Sequence, residues 1–167
     1  MTNNEAASSS SATSASKKYN KSSAPTLEIK DKVRVLCLHG YRQNADSFKS
    51  KLGSFRKHVN KYAELIFIDA PHMAKPMEEG AEPQKDQLSW WFNKDDGSFK
   101  GTNKNGPAFG FQESLKLVEE TWKSQGPFQG LLGFSQGACF VGLICGLAKK
   151  KCEYNNKNIE SNSIVKL

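Results

Sequence analysis

The sequence predicts an α/β protein, in which a parallel sheet is flanked by helices, on the strength of three observations. Short apolar runs typical of buried strands lie at residues 33–38, 64–68 and 130–134. Segments with helical spacing of apolar residues separate these runs, and another follows the last of them. An alternation of strands and helices indicates parallel strands joined by helical crossovers.

The first strand and helix are predicted from residues 33–59. The apolar run 33–38 is a buried strand that ends at His39-Gly40, and Asn44 or Asp46 can cap the helix that follows. The apolar residues of that helix recur at the spacing of a single face: Phe48, Leu52, Phe55 and Val59. The pattern therefore predicts one continuous helix that packs on the sheet.

A long loop and a second helix separate the second and third strands. Residues 73–107 are rich in Pro, Gly and charged residues, without a clear period, and contain the aromatic group Trp90-Trp91-Phe92. Loops of this length are commonly functional or mobile. A helix then begins near Phe109, has one apolar face and ends at Gly126-Pro127. The third strand, 130–134, leads directly into a helix over 136–148 that is apolar on nearly all sides.

Composition divides the chain into three parts. Residues 1–26 are rich in Ser, Ala and Lys and are predicted to be disordered, because they cannot bury enough apolar surface to offset the entropy of ordering. Residues 27–149 form the predicted α/β domain, and 150–167 form a polar tail rich in Lys and Asn. The net charge of +7 lies mainly at the two ends of the chain, which argues against a nucleic-acid surface on the folded part.

The cysteines and the hydropathy exclude other classes of protein. The four cysteines have no CxxC spacing and no matching His cluster, so no metal site is predicted. No apolar run approaches the roughly 20 residues that span a bilayer, and the first residues are polar, unlike a signal peptide. We expect a cytoplasmic protein, with the nucleus as an alternative compartment.

The segment 133–137 reads G-x-S-x-G and has the surroundings of a nucleophile elbow. It follows a strand and opens a helix, which is where a strained turn holds the nucleophilic serine, here Ser135. A Cβ at either flanking glycine would collide as strand and helix approach each other. The N–H of Gln136, at the helix N-terminus, is a predicted oxyanion donor. An ordinary glycine-rich turn with an incidental serine is the alternative.

The second oxyanion donor is predicted in the loop after the first strand. Such a donor usually comes from the loop of a neighbouring strand, and in residues 39–43 the N–H of Tyr41 is the natural candidate. Trp90 and Trp91 either line an acyl pocket or cover the core, and the sequence does not choose between these two roles.

Three segments together resemble the FSH family of serine hydrolases, most of all its branch of ovarian cancer gene-2 protein esterases. These segments are residues 33–44 (VRVLCLHGYRQN), Trp90-Trp91-Phe92 and residues 126–138 (GPFQGLLGFSQGA). The resemblance covers about residues 31–148. It implies an α/β-hydrolase fold, a three-layer α-β-α arrangement with a mostly parallel sheet, and hydrolysis of small carboxylic esters without a cofactor. Acyl-protein thioesterases, which share a GFSQG elbow, are the competing family.

The sequence departs from that family in its catalytic triad. In α/β-hydrolases an Asp or Glu and then a His follow the nucleophile, whereas no Asp and no His follows Ser135 here. Among upstream histidines, a structural hydrogen bond is favoured for His39, His72 would need its loop to arch back, and His58 is predicted to be solvated. We therefore expect a domain incomplete at its C-terminus and impaired in catalysis.

Three hypotheses for the function follow. The parent protein is a serine esterase of which this chain is a truncated form; the chain is a true short isoform that binds rather than catalyses; or it is an acyl-protein thioesterase-like hydrolase. We also expect the third strand to present an unpaired edge and the final helix to leave apolar side chains uncovered. This predicts poor solubility, a dimer through the sheet edge, or dependence on a partner.

Overall fold

The structure, a computed structural model, describes residues 32–78, 80–103 and 105–157, the last five of these by their backbone alone. The predicted disordered segment, residues 1–26, lies outside the described residues, as do residues 158–167 of the predicted polar tail.

The described part of the chain contains the three predicted strands and the helices between and after them, together with two short strands, at residues 72–73 and 88–89, that were not predicted. In chain order the elements are β1 (Val33–Leu38), α1 (Ala45–Lys51), α2 (Gly53–Val59), β2 (Ala63–Ile68), β3 (His72–Met73), β4 (Leu88–Ser89), α3 (Phe111–Gln125), β5 (Gly130–Gly133) and α4 (Gln136–Lys157).

The main sheet has three parallel strands in the order β2-β1-β5. Strand β1 is central, and its register pairs Leu38 with Ile68 on one side and with Gly133 on the other. Strands β3 and β4 form a separate antiparallel pair. The prediction of an α/β fold with a mostly parallel sheet flanked by helices is confirmed. Because β1 and β5 are parallel neighbours, the loops that follow them emerge at the same edge of the sheet.

The first helical region differs from the prediction of one continuous helix. Asn44 caps α1 through a hydrogen bond from the Ser47 N–H at 2.7 Å, but α1 ends at Lys51 and α2 begins at Gly53. Phe48 is 2% exposed, whereas Phe55 is 46% exposed. The predicted continuous helix is therefore interrupted at Leu52, whose backbone (φ −84°, ψ +12°) leaves the helical region.

The core lies between the sheet and the two long helices. Helix α3 turns its predicted apolar face inwards, and α4 continues nine residues past the predicted end of its apolar segment. The buried apolar side chains of this core are Leu36, Leu38, Ala70, Trp90, Trp91, Val118, Phe128, Phe140 and Ile144.

One edge of the sheet and one side of α4 are uncovered. Among the described residues β5 pairs with β1 alone, so its far edge has no strand beside it. On α4, Phe140 and Ile144 are buried, but Leu143 and Leu147 are each nearly half exposed. A dimer through this edge stays a prediction. None of the helices in the described part of the chain has the length and apolar character to span a membrane.

Candidate active site

Ser135 occupies the tight turn that joins β5 to α4. Its backbone has φ +51°, in the left-handed region that non-glycine residues adopt rarely and at a cost of about 1–3 kcal/mol. The turn is closed by hydrogen bonds from the Gly137 N–H to the Phe134 carbonyl at 2.9 Å and from the Cys139 N–H to the Ser135 carbonyl at 3.1 Å. Ser135 is exposed, so this strained turn presents the serine to solvent.

Glycines allow the close contact between this turn and the end of β1. A Cβ added to Gly133 would lie 2.4 Å from the Gly137 oxygen, and one added to Gly137 would lie 2.2 Å from the Leu38 oxygen. A Cβ on Gly40 would lie 3.3 Å from the Ser135 Cβ. These distances give the steric reason for both glycines of the G-x-S-x-G segment, and they place the loop after β1 directly beside Ser135.

Hydrogen bonds between Gly40 and Gln43 connect the two sides of the loop of residues 39–43. The Gly40 N–H donates to the Gln43 side-chain oxygen at 2.9 Å, and the Gln43 N–H donates back to the Gly40 carbonyl at 3.2 Å. The Arg42 N–H donates to the Leu88 carbonyl at 2.8 Å. Within the described residues, the N–H groups of Tyr41 and Gln136 form no hydrogen bond.

His39 is a structural residue in this arrangement. Its side chain is fully buried, its Nε2 accepts from the Ala70 N–H at 3.0 Å, and its Nδ1 lies 2.8 Å from the Gly40 carbonyl. An Nε2 that accepts requires the neutral ring with its proton on Nδ1, which then donates to that carbonyl. Burial lowers the pKa of His39, against smaller opposing effects of the Gly40 carbonyl and Asp69. With both nitrogens engaged, His39 has no lone pair free to accept a proton from Ser135.

This buried imidazole predicts a pH dependence of stability. Because the pKa of His39 is lower in the folded protein than its ordinary value of 6.5, the unfolded chain takes up a proton first as pH falls. The free energy of unfolding should therefore decrease below about pH 6.5, by at most about 1.4 kcal/mol per pH unit from this group. Urea unfolding at pH 5.5 and 7.5 measures the difference. His39→Asn should abolish most of it and His58→Asn should retain it; equal behaviour of the two variants would contradict the assignment.

The other two histidines of the sequence are also placed. The Nε2 of His72 lies 2.8 Å from the Gly110 carbonyl, before the start of α3, and its ring packs near Phe92. His58 is exposed on α2, as predicted, and its Nδ1 lies 2.8 Å from the Ser54 carbonyl. Among the described residues, neither ring has a hydrogen bond to Ser135.

Trp90 and Trp91 belong to the packed core. Trp90 is 0% exposed and stacks on Phe140 with ring centroids 5.4 Å apart, and Trp91 is 7% exposed, with an edge-on contact to Phe111. The Trp90 indole N–H donates to the His39 carbonyl at 2.8 Å. Of the two predicted roles, the structure therefore favours core packing over the lining of an acyl pocket.

The side chain of Gln136 has a role that the sequence analysis did not identify. It is buried, its amide donates to the Trp91 carbonyl at 2.7 Å, and its oxygen accepts from the Trp90 N–H at 3.0 Å. Ser114, on α3, donates to the Trp90 carbonyl. The aromatic segment is thus tied to the first residue of α4. A lone glutamine at the start of an otherwise apolar helix was the available signal.

A cavity lies beside Arg42, which belongs to the loop after β1. A cavity of about 700 Å³ is lined by Arg42, Lys75, Met77, Asp96 and Ser98, among others. Its charged side chains include both signs, and Lys75 pairs with Asp96 at 3.5 Å. This lining mixes charged and apolar residues and does not include Trp90 or Trp91, the residues of the alternative acyl pocket.

The described residues include one buried cysteine, Cys37, and three exposed ones, Cys139, Cys145 and Cys152. They contain no group of three or more His, Cys, Asp or Glu side chains that could hold a metal ion. Cys37 is buried in β1, and burial raises the pKa of its thiol to about 12, so that it stays protonated at neutral pH.

Comparison with known proteins gives a consistent result. Residues 29–164 match the family described as "Serine hydrolase (FSH1)". Over 154 residues the chain is 71% identical to "Esterase CG5412" of Drosophila melanogaster, covering 90% of this chain and 53% of that protein. It is 41% identical to "Esterase OVCA2" of Danio rerio (72% of this chain, 59% of that protein) and 37% identical to "Esterase OVCA2" of Homo sapiens (70% and 56%). The chain spans about half the length of the curated relatives that it matches.

Proposed function

This chain belongs to the FSH1 serine hydrolase family, and from that premise we propose that it carries the nucleophile and the oxyanion donors of an esterase acting on small carboxylic esters. The observation that supports this most strongly is Ser135 itself. It is an exposed serine held at φ +51° between a parallel strand and a helix N-terminus. Strain of this kind at a non-glycine residue is typical of functional sites.

In the proposed reaction the Ser135 hydroxyl attacks the ester carbonyl. The carbonyl oxygen gains negative charge as the tetrahedral intermediate forms, and the N–H groups of Tyr41 and Gln136 donate to it. Two features support these donors: both belong to segments that adjoin Ser135, and neither N–H is used inside the described structure. The partial positive charge of the α4 N-terminus favours the same oxyanion.

The proposal assigns no general base to a residue of this chain. No Asp and no His follows Ser135, and each upstream histidine has a structural hydrogen bond or lies on the surface. A serine without an adjacent base is a weak nucleophile at neutral pH. Binding of an ester without turnover is therefore the second function that this geometry supports.

Labelling with a fluorophosphonate tests the assignment of Ser135. We expect slow modification, at the peptide that contains Ser135, because the probe needs the oxyanion donors but receives no help from a base. Intact-mass measurement over hours, followed by peptide mapping, gives the rate and the site.

Ser135→Ala should remove this labelling, and Ser54→Ala, at an exposed serine of α2, should leave it unchanged. Labelling that persists in Ser135→Ala at an undiminished rate would show that another residue is the nucleophile. Protection of Ser135 by an ester that is not hydrolysed would support binding without catalysis.

A further inference from the structure

The loop of residues 93–103, here called the Asn93 loop, is closed around one buried amide. Asn93 is 6% exposed. Its side-chain nitrogen donates to the Lys100 carbonyl at 2.9 Å and to the Asn103 carbonyl at 3.2 Å, and its side-chain oxygen accepts from the Lys100 N–H at 2.8 Å. The side chain of Asn103 donates back to the Asn93 carbonyl at 2.6 Å. A single asparagine therefore satisfies several backbone groups and determines the shape of the loop.

This loop carries Phe99 to the residues beside the candidate site. The Phe99 ring lies 5.4 Å from the ring of Tyr41 and 5.2 Å from that of Trp91, measured between centroids. Trp91 in turn accepts a hydrogen bond from Gln136. Phe99 thus contacts Tyr41 directly and the Gln136 segment through Trp91, which are the two segments with the proposed oxyanion donors.

The polar end of Tyr41 does not anchor its side chain. The phenol oxygen is buried, yet it has no hydrogen-bond partner among the described residues. What holds the ring is contact with Phe99 on the Asn93 loop and with the guanidinium of Arg42, 5.4 Å from the ring centroid. The hydrogen bonds of the loop of residues 39–43 use the backbone of Gly40, Arg42 and Gln43 but not the Tyr41 N–H, so the packing of the Tyr41 ring against Phe99 is one of the contacts that limit movement of that N–H.

We propose that Asn93 is a positioning residue of this site, which acts through Phe99 to hold the Tyr41 N–H where the oxyanion forms. That the Tyr41 N–H stabilises an oxyanion rests on the proposed function. The contact between the Asn93 loop and Tyr41 is independent of that function. Misplacement of a catalytic group by about 1 Å can cost on the order of 100-fold in rate. Removal of one oxyanion donor costs about 100- to 1,000-fold.

The first arm of the test observes Tyr41 without any reaction. The sequence has four tyrosines, so selective ¹⁵N-tyrosine labelling gives at most four amide signals, and the Tyr41 signal is the one lost in Tyr41→Phe. In Asn93→Ala and in Phe99→Ala the Tyr41 signal should shift or broaden while that of Tyr62 stays in place. Asp95→Ala, an exposed position in the same loop, is the matched control and should move neither.

The second arm measures fluorophosphonate labelling of Ser135 over a range of probe concentrations. Asn93→Ala and Phe99→Ala should lower the maximal rate of labelling about tenfold or more and leave half-saturation within about twofold, since the donor acts on the charge that develops in the reaction. Phe99→Tyr, which keeps the ring, should restore most of the rate. Val118→Ala, a change in the same core but on α3, outside the Asn93 loop, should destabilise the protein without this loss.

These outcomes separate the inference from the proposed function. If the wild-type chain is not labelled at Ser135, the proposed function fails, and the Tyr41 signal still decides whether the Asn93 loop holds Tyr41. An unmoved Tyr41 signal in Phe99→Ala, or a labelling rate equal to wild type in that variant, overturns the inference. Should Asn93→Ala fail to fold, Phe99→Ala alone decides, because Phe99 is only partly buried.

Discussion

Purified as a 167-residue chain, the protein should hydrolyse p-nitrophenyl esters at least about 1,000-fold more slowly than an ordinary esterase, for which kcat is roughly 10 s⁻¹. The reason is the missing base. Deprotonation of Ser135 requires a nearby acceptor, and loss of a triad member commonly lowers kcat by about 10⁴- to 10⁶-fold. The three histidines of this chain are engaged elsewhere or exposed on α2.

Steady-state release of p-nitrophenol is the measurement, and Ser135→Ala prepared in parallel is the control for contaminating esterases. A residual rate that comes from attack by Ser135 should disappear in Ser135→Ala, whereas one that comes from the oxyanion donors and binding alone should persist in it. A kcat within about tenfold of 10 s⁻¹ that is lost in Ser135→Ala would mean that one of the upstream groups does act as base.

Gly137→Ala should destabilise the fold by about 3 kcal/mol or more. The added Cβ would lie 2.2 Å from the Leu38 oxygen and 2.5 Å from the His39 oxygen. Both are backbone atoms at the end of β1, which is paired on both sides and cannot easily shift. Overpacking against movable side chains typically costs about 1–3 kcal/mol, and here the backbone itself must give way. A domain with about 5–15 kcal/mol of total stability would be severely weakened.

Gly142→Ala, in the same helix, is the matched control for this change. Nothing lies within 4 Å of a Cβ at Gly142, so the alanine should stabilise the helix by about 0.5–1 kcal/mol. Free energies of unfolding in urea compare the two variants. If Gly137→Ala were as stable as Gly142→Ala, the close contact between α4 and β1 that places Ser135 beside Gly40 would be wrong.

Local patterns were sufficient to predict the three strands of the main sheet, their parallel arrangement and the turn at Ser135. Buried strands are short apolar runs, their alternation with helices allows few topologies, and a serine between two glycines at a strand-to-helix junction leaves little choice of conformation. Each of these signals depends on residues adjacent in the chain. The family resemblance rested on the same local segments, and the match over residues 29–164 agrees with it.

Contacts between distant residues decided what those patterns left open. Spacing predicted one helix through Val59, yet the helix is interrupted at Leu52, and the apolar period carries no sign of this break. His39 is a neutral structural imidazole because it is buried and because the Ala70 N–H, from 31 residues away, donates to its Nε2.

The aromatic segment and the site beside it depend on the same kind of contact. Trp90 and Trp91 lie in the core, where the buried side-chain amide of Gln136 accepts from the Trp90 N–H and donates to the Trp91 carbonyl. Phe99, within the long loop of residues 73–107, contacts the ring of Tyr41. The type of a residue establishes which hydrogen bonds its side chain can donate or accept. Its partner depends on which distant segments the folded chain brings together, and a single sequence does not show which segments these are.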